Sequence, residues 1–108
     1  MIPVINLNDT IKQIDKPWSP ITIARVNDQV VRMALVEGEF HWHKHVHEDE
    51  LFYACKGNIV MQLREQSDIV LHEGKMVVIP KGVEHCPKSD EPAYNVLFEP
   101  VILQTRGD

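Results

Sequence analysis

The stretch GEFHWHKHVHEDELFYACKG, residues 38–57, gathers four of the chain's six histidines between Phe40 and His47 and follows them with Glu48, Asp49 and Glu50. Histidine occupies alternate positions of that run, the spacing at which side chains of an extended segment share one face. A strand over Phe40–Val46 therefore turns His43 and His45 toward one point, with His41 on the same side. Glu50 follows after four intervening residues, where the chain turns back into the next strand. Imidazole nitrogen and carboxylate oxygen together suit Fe, Mn, Zn, Ni or Cu and suit Ca or Mg poorly. The pairs His41-x-His43 and His45-x-His47 obey the same alternation, so parity alone leaves the pair open.

Outward from this stretch, short runs of Val, Ile and Leu alternate with Gly, Pro and Asp, and no long 3.6-residue period interrupts them. Strands are expected over Ile21–Val26, Val30–Glu37, Phe40–Val46, Leu51–Cys55, Ile59–Arg64, Ile69–His72, Met76–Ile79, Glu84–Lys88 and Tyr94–Glu99. Turns fit between them at Asn27-Asp28, Lys56-Gly57-Asn58, His72 to Lys75 and Pro80-Lys81-Gly82. Many short antiparallel strands indicate an all-β closed barrel or jelly roll. One helical turn is expected over Asp9–Ile14, ahead of the Pro17-to-Pro20 loop. Phe52, Ala54, Met61, Val77, Ile79, Val96 and Phe98 are expected as barrel lining or core, and Tyr53 should face away from Glu50.

Two ordered motifs carry a resemblance. Gly38, His43-Lys44-His45, Glu50 and Gly57 are followed by Gly74, Pro80-Lys81-Gly82 and His85. This arrangement resembles the cupin superfamily, with every spacing kept except that Gly38 lies one residue closer to the first histidine. Where the family commonly has Asn after the last histidine, this chain has Ser89, at a position that supports the fold. The resemblance implies a double-stranded β-helix, with residues 1–108 as one domain and its motifs within 38–89. It implies His43, His45, Glu50 and His85 as ligands of one divalent transition metal, and its spacing selects His43-x-His45 over the two neighbouring pairs. His41 then points into the cavity as a catalytic candidate able to polarise a substrate or shuttle a proton. His47 is expected at the surface or behind the ligands, and Asp49 as a solvated loop carboxylate.

The chain has 108 residues, room for one core and one main site. Its net charge of −5, without a basic run, offers no footprint for nucleic acid or an anionic membrane. No basic leader precedes an apolar run and no stretch has the length of a membrane span, so a cytoplasmic protein is expected. Cys55 and Cys86 form no CxxC pair and are expected to be reduced fillers, with a redox or ligand role for Cys86 as the alternative. Trp18 and Trp42 are expected to pack. The resemblance implies a metal-dependent enzyme, dioxygenase- or isomerase-like, on a small organic molecule; the rival is a non-catalytic sugar- or metabolite-binding module. It also implies a homodimer.

Overall fold

The computed structural model describes residues 1–108. A helix, α1 (Leu7–Ile11), precedes seven strands: β1 (Ile21–Val26), β2 (Gln29–Glu39), β3 (Glu50–Lys56), β4 (Ile59–Leu63), β5 (Ile69–Leu71), β6 (Met76–Ile79) and β7 (His85–Pro100). All the strand pairs are antiparallel. The order runs β1-β2-β7-β3-β6, and β4 joins β5 to β7. The all-β barrel expected from the sequence is therefore the fold observed. No helix is long and apolar enough to cross a membrane.

Strand β7 organises the whole. Its first residues pair with β2 and β4, its later ones with β2 and β3. Between them Asp90, Glu91 and Pro92 have no ladder partner, and the β2 register shifts opposite them, between Val36 and Gly38. Pro92 cannot donate to a ladder, and a corner is where that costs nothing. Glu84–Lys88 and Tyr94–Glu99 were expected as separate strands; the structure joins them as one bent strand through this corner.

Phe40–Val46 is the main departure. The alternation predicts a strand, but the segment has only an isolated bridge, His43 to His85. The rings explain the departure. The Phe40 and His41 rings lie side by side, tilted 34° with centroids 4.0 Å apart, whereas neighbours on an extended strand point to opposite faces. The helical turn lies earlier than expected, at Leu7–Ile11, capped by the Asn6 side chain, which accepts from the backbone N–H of Asn8 and Asp9.

Parity along the strands separates two apolar layers. Ala34, Val36, Phe52, Ala54, Ile59, Met61, Leu71, Ile79, Ala93 and Leu97 fill the interior, with Val77 packed against them. On the other face of the sheet Ile14, Met33 and Leu35 pack with Ile11, Cys55, Tyr94 and Val96, so the N-terminal segment covers the outside of β2. Val96 and Phe98, both expected inside, face outward because Asn95, Leu97 and Glu99 take the inward positions: Val96 packs in the outer layer and Phe98 is exposed. Tyr53 does face away from Glu50, which lies buried with Phe52 and Ala54.

The β3–β4 hairpin turns at Gly57, which has φ +78°. A Cβ there would lie 3.0 Å from Ala93 Cβ and 3.1 Å from the Pro92 carbonyl oxygen. Gly74 has φ +86° but nothing within 4 Å of its missing Cβ. Gly74→Ala should therefore cost about 1 kcal/mol from backbone strain alone. Gly57→Ala should cost clearly more in urea-induced unfolding, because strain and crowding combine.

Candidate metal centre

His43 and His45 sit in the irregular loop before β3, Glu50 is the first residue of β3, and His85 is the first residue of β7. Backbone bonds fix these pieces together. The His43 N–H donates to the His85 carbonyl at 3.0 Å, and the His85 N–H returns the bond to His43 at 2.9 Å. The Gly82 N–H donates to the His45 carbonyl at 2.8 Å. Asp49, expected as a free loop carboxylate, accepts from the Lys81 N–H at 2.8 Å. The turn that delivers His85 is thus bolted to the loop that carries the other two histidines.

One donor atom from each of His43, His45, Glu50 and His85 lies within 4.8 Å of every other. The sequence-derived set converges as expected; His45, Glu48 and Asp108 form a second such group, but its Asp108 is exposed. Glu50 Oε1 is 3.3 Å from His45 Nε2 and 3.7 Å from His85 Nε2. His45, Glu50 and His85 are buried, while His43 keeps some exposure and marks the open side. Nδ1 of His43 donates to the His41 carbonyl, and Nδ1 of His85 donates to the Val83 carbonyl, each at 2.9 Å. Both rings are thereby held as the tautomer whose Nε2 lone pair is free to bind a metal.

These donors fit a cation on their own chemistry. Both ring nitrogens of His45, Glu50 Oε1 and His85 Nε2 are buried without a hydrogen-bond partner. Such atoms each cost about 1–3 kcal/mol when left unsatisfied, and an ion among them satisfies the convergent ones together. Burial, aided by the neighbouring His85 and His45, pushes the His43 imidazole down to about 4; the neutral ring is the metal-binding form. Burial alone would raise Glu50, but the facing imidazoles of His45 and His85 more than offset it and hold the carboxyl below its usual range.

Other expected residues lie outside this group. His41 does not point inward from a strand: its Nε2 donates to the Arg106 carbonyl at 2.9 Å, and its ring centroid is 5.2 Å from that of His43. His47 is exposed. Cys86 is a buried free thiol pushed up by that burial, an inert filler rather than a nucleophile. Trp18 donates to the Glu37 carbonyl, and Trp42 packs beneath the Arg64 guanidinium at 4.2 Å. Ser89 donates to the Asn58 carbonyl at 2.8 Å, a structural contact.

Several contributors were not foreseen. The tail after β7 lies across the histidine loop: the Asp108 N–H donates to the Lys44 carbonyl at 3.0 Å and its carboxylate accepts from the Val46 N–H at 2.6 Å. Inside the barrel, Asn95 and Glu99 project from β7 and are buried. With Val96 and Phe98 expected inside, the alternation turns Asn95 and Glu99 outward; the structure reverses the parity of this strand. Glu99 Oε2 lies 3.4 Å from Arg32 Nη1. Burial first, and the Glu50 carboxylate second, push its carboxyl up to about 8 against the pull of Arg32. A cavity of about 40 Å³ adjoins the centre, walled by Val36, Phe40, Phe52 and Leu97 and reached by His43 and Glu50.

Comparison with known proteins gives a consistent result. Residues 29–98 match the family described as Cupin domain. The uncharacterised protein YdbB of Bacillus subtilis is 31% identical over 94 residues, 87% of this chain and 83% of that protein. A cupin-2 domain containing protein from Shewanella frigidimarina has a crystal structure of TM-score 0.87 at 43% identity, covering 90% of this chain and 94% of that one. The hydroquinone 1,2-dioxygenase PnpCD, in complex with Fe3+, superposes at TM-score 0.84 over 93% of this chain and 33% of that one. At 15% identity, that last likeness is one of fold.

Glu99 generates a pH dependence whose sign follows from its position. Folded, it holds its proton up to about 8, while the unfolded carboxyl releases it near 4.5. The folded state binds more protons across that window, so stability of the metal-free protein falls as pH rises through it. His43 acts oppositely, removing stability only as pH drops from 6.5 toward about 4. Between pH 6.5 and about 8 the Glu99 effect therefore stands alone. Urea unfolding at both ends of that interval should show wild type losing stability with rising pH and Glu99→Gln staying level.

Proposed function

The chain belongs to the cupin domain family, and from that premise we propose a metal-dependent enzyme acting on a small organic molecule. One divalent transition-metal ion is held by His43, His45, Glu50 and His85. What carries the reading is a group of four convergent donors with buried, unpartnered atoms, set beside an apolar cavity. The three-nitrogen, one-oxygen set suits iron, manganese, zinc, nickel or copper. Bound there, such an ion supplies Lewis acidity and, if iron or manganese, redox chemistry.

The chain's own groups do the rest. The buried walls hold the ligand out of water, and the partial exposure of His43 gives the side from which it enters. Nε2 of His41 is committed to the Arg106 carbonyl, so the other ring nitrogen is left to take a proton at the mouth. The shared fold does not choose between dioxygenase-like and isomerase-like chemistry; the identity of the bound ion does. One observation favours the rival, a metal-containing binding module: apart from the donor group, the cavity walls carry no acid–base side chain.

A homodimer is part of the same reading. On the outer face Leu51 lies between Phe98 and Val78, and Tyr53 between Val96 and Met76, giving two apolar rungs across β7, β3 and β6. Phe98, Val78 and Met76 are exposed. Light scattering across a concentration series should give twice 12.4 kDa; a mass that stays at the single-chain value removes the dimer.

Elemental analysis tests the centre. Untagged protein should carry about one transition metal per chain, and His43→Ala, Glu50→Ala and His85→Ala should each lose most of it. Failure to bind metal after reconstitution with Mn, Fe, Ni, Cu and Zn would overturn the metalloenzyme and leave a cupin barrel that binds without it.

A further inference from the structure

Asn95 is the one amide among the walls of the cavity beside the metal centre. It is 3% exposed, and its Oδ1 is buried with no hydrogen-bond partner. An amide placed in an apolar interior without a partner is costly, and the cavity walls here include Ala34, Val36, Phe52 and Leu97. The sheet register shows how space is made for it. Asn95 pairs with Ala34 on β2 and with Ala54 on β3, so the smallest apolar side chain flanks it on either side. Ala34, like Asn95, borders the cavity. Two larger residues at these positions would close over the amide; two alanines leave it open to the cavity.

We propose that Asn95 orients the ligand, and that the ligand is a small hydroxyl compound, uncharged away from the metal, whose O–H donates to Asn95 Oδ1 while its carbon body rests on Val36, Phe52 and Leu97. The assignment rests on the reading of this cavity as the substrate site. Charge follows from the walls: none of the residues lining the cavity is a lysine or arginine, and Glu50 contributes a carboxylate. A carboxylate or phosphate group would find a counter-charge only at the metal, so the part of the ligand that lies against Asn95 is uncharged. Size follows from the volume. About 40 Å³, at roughly 10–15 Å³ for each water, accommodates a body of about three or four heavy atoms, with anything longer reaching out through the mouth. Thr105 adds a hydroxyl at the same cavity from the tail beyond β7, so the polar end of a longer ligand also finds a partner near the opening.

The test compares 2-propanol with acetone, which share shape and heavy-atom count but differ in the O–H donor. Each is titrated into the zinc-loaded full-length protein while the side-chain ¹⁵N amide of Asn95 and the surrounding methyl groups are followed by NMR. The expected result is a saturable shift at Asn95 and an affinity about fivefold higher for 2-propanol, the worth of one hydrogen bond. In Asn95→Leu the preference should vanish, and Asn95→Ala gives the same reading should the larger side chain disturb folding. Absence of a saturable shift at Asn95, acetone binding as well as 2-propanol, or a preference that survives both substitutions would overturn the proposal and leave Asn95 as the holder of a buried water. The metal reading fails separately: if the protein takes up no zinc, the same titration on metal-free protein still decides the role of Asn95.

Discussion

The reciprocal backbone hydrogen bonds between His43 and His85 are the constraint on which the rest of the molecule depends. Each is worth only about 1 kcal/mol net, but together they join an irregular loop to the start of the longest strand and place two imidazoles with centroids 4.3 Å apart. Further links act in parallel: Gly82 to the His45 carbonyl, and Asp49 to the Lys81 N–H. Because the loop makes no continuous ladder of its own, its shape is set by partners on the β6–β7 turn and on the tail. Donor groups must be held closely to be useful to a metal, and here the holding is done by main chain.

The interior combines an apolar barrel with polar residues that have little to satisfy them. His45, Glu50, His85, Asn95 and Glu99 are all buried, and each has at least one atom without a partner. Such a set is destabilising in isolation, and natural proteins tolerate local violations of this kind chiefly where function requires them. The arrangement along β7 is orderly: Leu97 continues the apolar packing, while Asn95 and Glu99 on either side of it reach the cavity and the back of Glu50. Alternation in a strand buried on one face thus distributes three roles over five residues.

Much of this was legible in the sequence because it depends on local rules. Glycine and proline punctuation located the turns, and strand ends mostly lie within a residue or two of expectation. The convergent donor group was legible because motif spacing separated His43-x-His45 from its overlapping alternatives. Phe40–Val46 was misread because alternation of residue type resembles a strand whether or not a partner strand exists. His41 was assigned an inward direction on the same ground, and the contact of its ring with that of its neighbour Phe40 reverses that logic. The contact of the tail with the loop was not legible: each bond of Asp108 and Arg106 to residues more than 60 positions away has a main-chain group on at least one side, and that group leaves no mark in residue type. Glu99 and Asn95 were missed because apolar Val96 and Phe98 suggest the opposite face as the inward one, and a buried acid has no sequence signature beyond its place in the alternation.

The most direct test of the central claim is X-ray absorption spectroscopy at the zinc edge of protein reconstituted with one equivalent of Zn²⁺. Coordination by His43, His45, Glu50 and His85 predicts a nitrogen and oxygen shell at about 2.0–2.2 Å with the outer-shell scattering of three imidazole rings, and fewer rings in His85→Ala. A shell of oxygen alone without imidazole scattering, or a sulfur distance near 2.3 Å from one of the cysteines, would contradict it.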